Sequence, residues 1–418
     1  MIQIENCRAC GSKNLIPILS LGNQYVTNFI DSEKEQENIP QVPLDIILCD
    51  NCKLLQIKHN APPESMWGDQ YWYQSGISST IKDDLKDIVE KSQTIKKLNR
   101  GDVVLDIGCN DGTLLDFYDK KEGIELIGFE PSGNVSEKAR KKGFKVIRNF
   151  FNANNFWQEF GDKKAKIITA ISMFYDLEDP NKFLDDIAKI LDKNGLFVIQ
   201  QNYLVAMLEQ NAFDNICHEH REYYSFISLR NILDKHGLEI FDIEQNNING
   251  GSIRTYIKFK DNPALSGFNG AKQRIEEITK KEMEMKLDTS KPYTEFARRI
   301  DKIKIHALNF LTEQKKLGKK IAIYGASTRG NVILQYFGLG PGLIDYIADK
   351  NSDKWGKRTV GTLIPIISPE EMREAKPDYL FINTWHFLDE IMKQEYNYSK
   401  SGGKFIVALP QFKVIGND

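Results

Sequence analysis

The chain has 418 residues, room for roughly three domains of about 150 residues each, which excludes a peptide hormone or an isolated binding module. Its 56 Lys and Arg residues face 58 Asp and Glu, and a net charge of −2 provides no global field toward nucleic acid or anionic lipid; only a local basic patch is left open. With 41% hydrophobic residues and no apolar run near the ~18 residues of a membrane helix, the chain reads as soluble and globular, and an opening MIQIENCRAC without a signal-peptide stretch makes the cytoplasm the expected location.

The six cysteines fall unevenly along the chain. Cys7, Cys10, Cys49 and Cys52 form two C-x-x-C pairs, each placing two thiolates on one tight turn, and together they supply a tetrahedral four-sulfur shell suited to a closed structural zinc. The 38 residues between the pairs exceed the usual ribbon spacing but accommodate a hairpin and loop. A redox pair is the competing reading, and there a second C-x-x-C has no purpose. Four thiolates leave no open coordination position, so the ion should hold structure and perform no chemistry.

From about residue 101 apolar runs of strand length alternate with amphipathic stretches, the pattern of a mostly parallel, doubly wound α/β sheet. Seven strands are expected, at Val103 to Gly108 and from Glu125, Lys145, Ala165, Leu196, Glu239 and Ser252. Between Asn181 and Asp192, Phe183, Leu184, Ile187 and Ile190 share one helical face, and Asn194-Gly195 should end that helix before the next strand. From about Asn269 to Leu317 the chain is Lys/Glu-rich and helical, interrupted at Pro292, with Glu276 to Lys286 expected on a solvated face. A second α/β set follows, with strands from Lys320, Leu343, Asp378 and Lys404, giving a small Rossmann-like layer. The segments divide as 1–68 (zinc module), 69–265 (cofactor-binding sheet) and 266–418 (connector and C-terminal layer).

The segment VLDIGCNDGT, Val104 to Thr113, is a strand, a glycine turn and a helix start. Gly108 and Gly112 let backbone approach a ligand, and Asp106 sits at the strand end where doubly wound sheets bind cofactors. A lone glycine turn is weak evidence. Glu130 strengthens it, ending the next strand about 20 residues on, where a carboxylate accepts from both hydroxyls of a ribose. Asn110 and Asp111 in the turn favour S-adenosylmethionine over NAD, whose pyrophosphate requires bare backbone without added negative charge.

In CHEH, Cys217 to His220, two imidazoles flank Glu219 in a loop leaving the sheet. Three readings stay open on the residues alone: a base with an orienting partner, a metal site of Cys217, His218 and His220, or satisfied core polar groups. Asn249, Gly250, Gly251 and Arg254 read as a ligand loop or a plain turn. GASTRGN around Gly325 to Asn331, containing Arg329, has the form of a phosphate-binding turn, to which Lys350 and His386 add charge and donors; a degenerate Rossmann layer that binds nothing is the alternative.

The VLDIGCNDGT segment resembles the first motif of class I S-adenosylmethionine methyltransferases, whose seven-stranded sheet has its last strand antiparallel. Over essentially its whole length the chain is similar to the sugar C-methyltransferases acting on nucleotide-linked 4-keto-6-deoxysugars. The likeness lies in the four-cysteine module, YWYQSG at Tyr71 to Gly76, VLDIGCNDGT, HEHREYYSF at His218 to Phe226, NGGSIR at Asn249 to Arg254, YGASTRGN at Tyr324 to Asn331, and WHFLDE at Trp385 to Glu390. The resemblance implies a general base at His220, an active-site partner in Glu219, and Tyr71, Tyr73 and Ser75 beside the methyl-donor and sugar sites. The family's tyrosine before HEH is replaced by Cys217, a shorter and weaker donor, so Tyr223 or Tyr224 is expected to bond the developing oxyanion, or the substrate presents its carbonyl differently.

The expectation is therefore a class I methyltransferase sheet with an N-terminal zinc module and a C-terminal Rossmann-like layer, methylating a carbon, C3 by resemblance, alpha to the ketone of a nucleotide-diphosphate 4-keto-6-deoxysugar. Its cofactors are S-adenosylmethionine and structural zinc; no nucleic acid or membrane partner is expected. The rivals are an O- or N-methyltransferase on a sugar or another small metabolite, and a zinc-ribbon binding or scaffold protein.

Overall fold

The computed structural model describes residues 2–26, 29–69, 71–120 and 123–416. Near the N-terminus, strands Leu15–Tyr25 and Gln41–Cys49 run antiparallel with Leu15 opposite Cys49, so the long spacing between the cysteine pairs is a hairpin that returns to its origin. Along Gln41–Cys49, Val42, Leu44 and Ile46 alternate inward, the period-two pattern of a half-buried strand. Leu55–Ile57 adds to the hairpin, and its far edge pairs with Glu222–Tyr223, a strand that the chain reaches only after the five parallel strands of the central sheet.

The central sheet contains all seven expected strands, in spatial order 3-2-1-4-5-7-6 counted along the chain. The first five pair in parallel, and the seventh, Ser252–Phe259, lies antiparallel between Leu191–Asn202 and Leu238–Asn246. The first strand, VVLDI, is buried at every residue because helices cover both faces, the usual state of a parallel strand. Ser79–Ile95 lays Ile81, Leu85, Ile88 and Val89 on one face; Pro180–Ile190 packs Phe183, Leu184, Ile187 and Ile190 on the other. The latter helix starts where expected, with the Asp179 side chain accepting from the Lys182 N–H and Pro180 in the first turn. Its end differs. The chain enters the strand directly at Leu191, and Asn194-Gly195 sits in an irregularity within that strand, between Leu191 opposite Ala165 and Leu196 opposite Ile167.

The Lys/Glu-rich connector forms two helices, Ala271–Glu284 and Lys291–Lys316, with Pro292 in the first turn of the second. One of its acids is not solvated. Glu282 is buried and accepts from the Phe226 and Ile227 N–H groups and the Tyr203 hydroxyl, so it satisfies the orphan donors that open helix Phe226–Lys235. The C-terminal layer has six strands, of which Ile366–Ile367 and Lys413–Ile415 were not anticipated; all neighbours are parallel except the last pair. Phe29–Ile30 pairs with Arg358–Thr359, which joins the N-terminal module to this layer as well. Residues 68 and 265, where the sequence divides, both lie outside regular elements.

Candidate active site

A cavity of about 320 Å³ opens where strands Val103–Ile107, Glu125–Phe129 and Ala165–Ile171 end. Asp106, Gly108, Asn110 and Glu130 line it. Asp106 is held by the Thr169 hydroxyl at 2.6 Å, and burial pushes its carboxyl up to about 7. Glu130 accepts from the Asn110 N–H at 3.0 Å and the Ser132 N–H at 2.8 Å, while burial holds its carboxyl above the ordinary value. Asn110, at φ 50, reaches the other way: its side chain accepts from the Ser75 N–H and donates to the Tyr73 carbonyl, and Asn134 clasps both backbone groups of Tyr71. The YWYQSG segment is thus strapped down so that Tyr71, Tyr73 and Ser75 form a wall of the cavity.

A second cavity, of about 270 Å³, lies between that wall, the CHEH loop and the C-terminal layer. Tyr71, Tyr73, Ser172, Asp176 and Asn249 line both cavities, so the two meet at these residues. His220 and Glu219 face the second cavity. The His220 Nδ1 lies 2.8 Å from the Asn215 carbonyl, which only accepts, so the neutral ring carries its proton there and leaves Nε2 with a free lone pair. Burial and the nearby Arg329 guanidinium hold His220 down to about 3, and burial pushes Glu219 up to about 7. The same cavity is lined by Gly325 to Arg329, Lys350 and His386, with the Thr328 hydroxyl 3.5 Å from Glu219 Oε1; Lys350 pairs with Glu390, and Arg329 is anchored on Asp214 and the Asn249 carbonyl. Gly325, at φ 94, lets the turn leave strand Ile321–Tyr324 and open helix Thr328–Phe337, capped by Ser327.

Models of three known domains match the chain in succession: a zinc binding domain over residues 7–67, a methyltransferase domain over 73–243, and a C-methyltransferase C-terminal domain over 247–410. The curated C-methyltransferase NovU of Streptomyces niveus is 29% identical over 415 residues, spanning 99% of this chain and 97% of its own. The chain is a methyltransferase, similar to this C-methyltransferase over nearly its whole length. Among solved structures, a methyltransferase of Clostridium acetobutylicum is 15% identical over 44% of this chain and 92% of its own, with a TM-score of 0.34. One of Archaeoglobus fulgidus is 20% identical over 43% and 94%, with a TM-score of 0.33.

The methyltransferase takes S-adenosylmethionine and a structural zinc, and the donor sets fit both. The Cys7 and Cys52 sulfurs lie 3.5 Å apart, as do those of Cys10 and Cys49, and all four are within 4.8 Å of one another. A tetrahedron with Zn–S bonds of about 2.3 Å has edges of about 3.8 Å. The Asp106 to Glu130 edge supplies carboxylate acceptors for an adenosyl moiety, and Trp67, Phe150 and Phe151 add flat apolar surface to the same cavity. Bound S-adenosylmethionine supplies an electrophilic methyl group.

Several expected ligands of the methyltransferase stand elsewhere. Gly112, at φ 75, does not line the cavity; a Cβ there would strike Phe144 and Ala139, so it serves close packing against helix Gly133–Lys141, and the helix expected after the turn is only the short 3-10 turn Leu115–Phe117. Cys217 is fully buried and lines neither of the two large cavities. Tyr223 spends its hydroxyl on the His220 carbonyl, and Tyr224 packs on Phe174 in the core. His218 turns away to the Val42 carbonyl, so the group that comes together is Cys217, Glu219 and His220. Arg254 is buried among Asp84, Asp87, Glu244 and Gln200, tying helix Ser79–Ile95 to the sheet. Asn331 is buried inside helix Thr328–Phe337 and reaches neither cavity. Conversely, Ser172, Tyr175 and Asp176 were missed. They directly follow strand Ala165–Ile171, and the end of a parallel strand was the available signal.

Proposed function

We propose that this C-methyltransferase acts on a nucleotide-diphosphate 4-keto-6-deoxysugar, methylating the carbon alpha to the ketone, C3, through an enolate. The observation that carries the reading is the free Nε2 of His220 in a cavity that joins the cofactor cavity at Tyr71, Ser172 and Asp176. A proton alpha to a ketone is acidic enough for an enzymic base because the carbanion delocalises onto oxygen. His220 takes that proton at Nε2, the C3 electron pair attacks the methyl group in line, and the nearby Glu219 carboxylate stabilises the imidazolium. That assistance matters because burial and Arg329 both disfavour the charged ring. Arg329, Lys350 and the N–H groups that open helix Thr328–Phe337 offer positive partners for the diphosphate, and Asp349, after strand Ile347–Ala348, stands where a nucleotide ribose is held in Rossmann-like layers. The N-terminal module contributes Phe29 to the same cavity and so shapes it.

The test is incubation with labelled methyl donor and a panel of nucleotide 4-ketosugars, locating the label by mass spectrometry and NMR, together with solvent deuterium exchange in the absence of donor. Label on C3 and exchange at that carbon are expected. Label on oxygen or nitrogen without exchange overturns the enolate reading.

A further inference from the structure

An enolate forms only as fast as its oxygen is stabilised, and that donor is the piece still lacking. Cys217 is shut away from the cavity, Tyr223 is committed to the His220 carbonyl, and Tyr224 lies in the core. Another phenol stands in the right place. The Tyr175 ring packs edge-on against His220, with centroids 4.4 Å apart, and lines the same cavity as the His220 and Glu219 side chains. Ser172, at the junction of the two cavities, lies three residues before Tyr175 on the same turn, with its side chain near the phenol. A phenol hydroxyl facing a cavity has a hydrogen to donate to a bound acceptor.

Ser172 is itself unusual. It has a φ of 54, a left-handed conformation that a residue with a Cβ rarely adopts, and its N–H is tied at 2.7 Å to the Gln200 carbonyl of the neighbouring strand. Such backbone persists where surrounding structure enforces it, and it concentrates at functional sites. Here it turns the chain sharply off strand Ala165–Ile171, bringing Ser172 to the cavity junction and Tyr175 beside His220. Burial and the adjacent Asp176 carboxyl hold the phenol well above its ordinary range, so it stays a proton donor.

We propose that Tyr175, oriented by Ser172, is the catalytic hydrogen-bond donor to the substrate's carbonyl oxygen as it becomes the enolate. The proposal rests on the reading of His220 as the base. The His220 Nε2 receives the carbon-bound proton while Tyr175 donates a hydrogen bond, without transferring its proton, to the oxygen that gains the charge. Ser172 is a positioning residue.

The experiment uses the zinc-loaded full chain, thymidine-diphosphate 4-keto-6-deoxyglucose as probe, and deuterium incorporation from heavy water read by mass spectrometry. Tyr175→Phe should slow exchange and methyl transfer together by about 100-fold or more, the typical effect of removing one oxyanion donor. KM for the ketosugar and affinity for S-adenosylhomocysteine should stay within about twofold, a split that mere loss of packing does not produce. Exchange within threefold of the parent overturns the proposal. Should Tyr175→Phe fail to fold, difluorotyrosine at 175 keeps the shape; the alkaline limb of exchange should then move to lower pH, and an unmoved limb overturns the proposal. His220→Asn is measured alongside. Unchanged exchange there removes the base reading, whereas loss in His220→Asn with none in Tyr175→Phe removes only the role of Tyr175.

Discussion

Replacing Glu130 tests the cofactor site at one residue. In the folded chain its two oxygens accept from the Asn110 N–H at 3.0 Å and the Ser132 N–H at 2.8 Å, so the carboxylate is already fixed before any ribose arrives. Each oxygen keeps a further acceptor position. Glu130→Gln retains the shape but turns one oxygen into a donor facing a backbone N–H, and it removes the charge from the bond to the ribose. A hydrogen bond to a charged group contributes about 1.5–3 kcal/mol, so the dissociation constant for S-adenosylhomocysteine should rise about 10- to 150-fold. Isothermal calorimetry at pH 8 measures it, with circular dichroism confirming that the variant is folded. The sign with pH is also determined. Burial raises the Glu130 carboxyl above 4.5, so the parent protein should begin to lose affinity on acidification before an ordinary glutamate is protonated, and the Gln variant should lack that component. A folded variant that binds as tightly as the parent at pH 8 refutes the assignment of this carboxylate.

Cys10→Ser should reduce bound zinc from about one per chain toward zero and lower the melting temperature together; elemental analysis showing full occupancy in the variant counts against the four-sulfur site. Arg254→Leu leaves Asp84 buried beside Asp87 and Glu244 without its cation, and should cost about 3–5 kcal/mol in urea unfolding. A loss under 1 kcal/mol, with ketosugar affinity abolished instead, would restore Arg254 as a ligand. Glu219 is pushed up to about 7, so the exchange rate should rise with pH through that value and lose this limb in Glu219→Gln; a limb unchanged in the variant belongs to another group. His218 is held down to about 4 by burial, so the folded state binds fewer protons than the unfolded one. Its contribution to stability is complete above pH 6.5 and should disappear as pH falls through 4, with His218→Asn flattening that acid dependence in urea titrations.

The central strands were legible because helices cover both faces and strands such as VVLDI and AKIITAI are runs of mostly apolar residues. The zinc ligands were legible because C-x-x-C spacing states its geometry without reference to the fold. What escaped is of two kinds. Phe29–Ile30, Glu222–Tyr223 and Arg358–Thr359 are two-residue strands, too short to show a period, and their partners lie far away along the chain. The second kind is a side chain whose role depends on which way it turns. Arg254 adjoins a ligand-like glycine loop yet points into a carboxylate cluster, Glu282 belongs to a charged run yet caps a buried helix, and Tyr175 sits in SMFYD, a segment with no motif. Strand ends in a parallel sheet were a usable signal at Ser172 to Asp176; nothing comparable marks Arg254 or Glu282.

The pairing of Leu55–Ile57 with Glu222–Tyr223 begins two residues beyond His220. The CHEH loop is therefore pinned at its exit to a strand whose own hairpin is closed by the zinc cysteines. This limits how such a chain can be recombined. A chimera that exchanges residues 1–60 for those of a relative, keeping its own 61–418, places a foreign strand against the segment that follows His220. Its success should depend on whether the new partner for Tyr223 matches Leu55 in size. Shuffling experiments on this protein should accordingly treat the metal hairpin and the HEHREYY segment as one heritable unit, although more than 150 residues separate them in the chain.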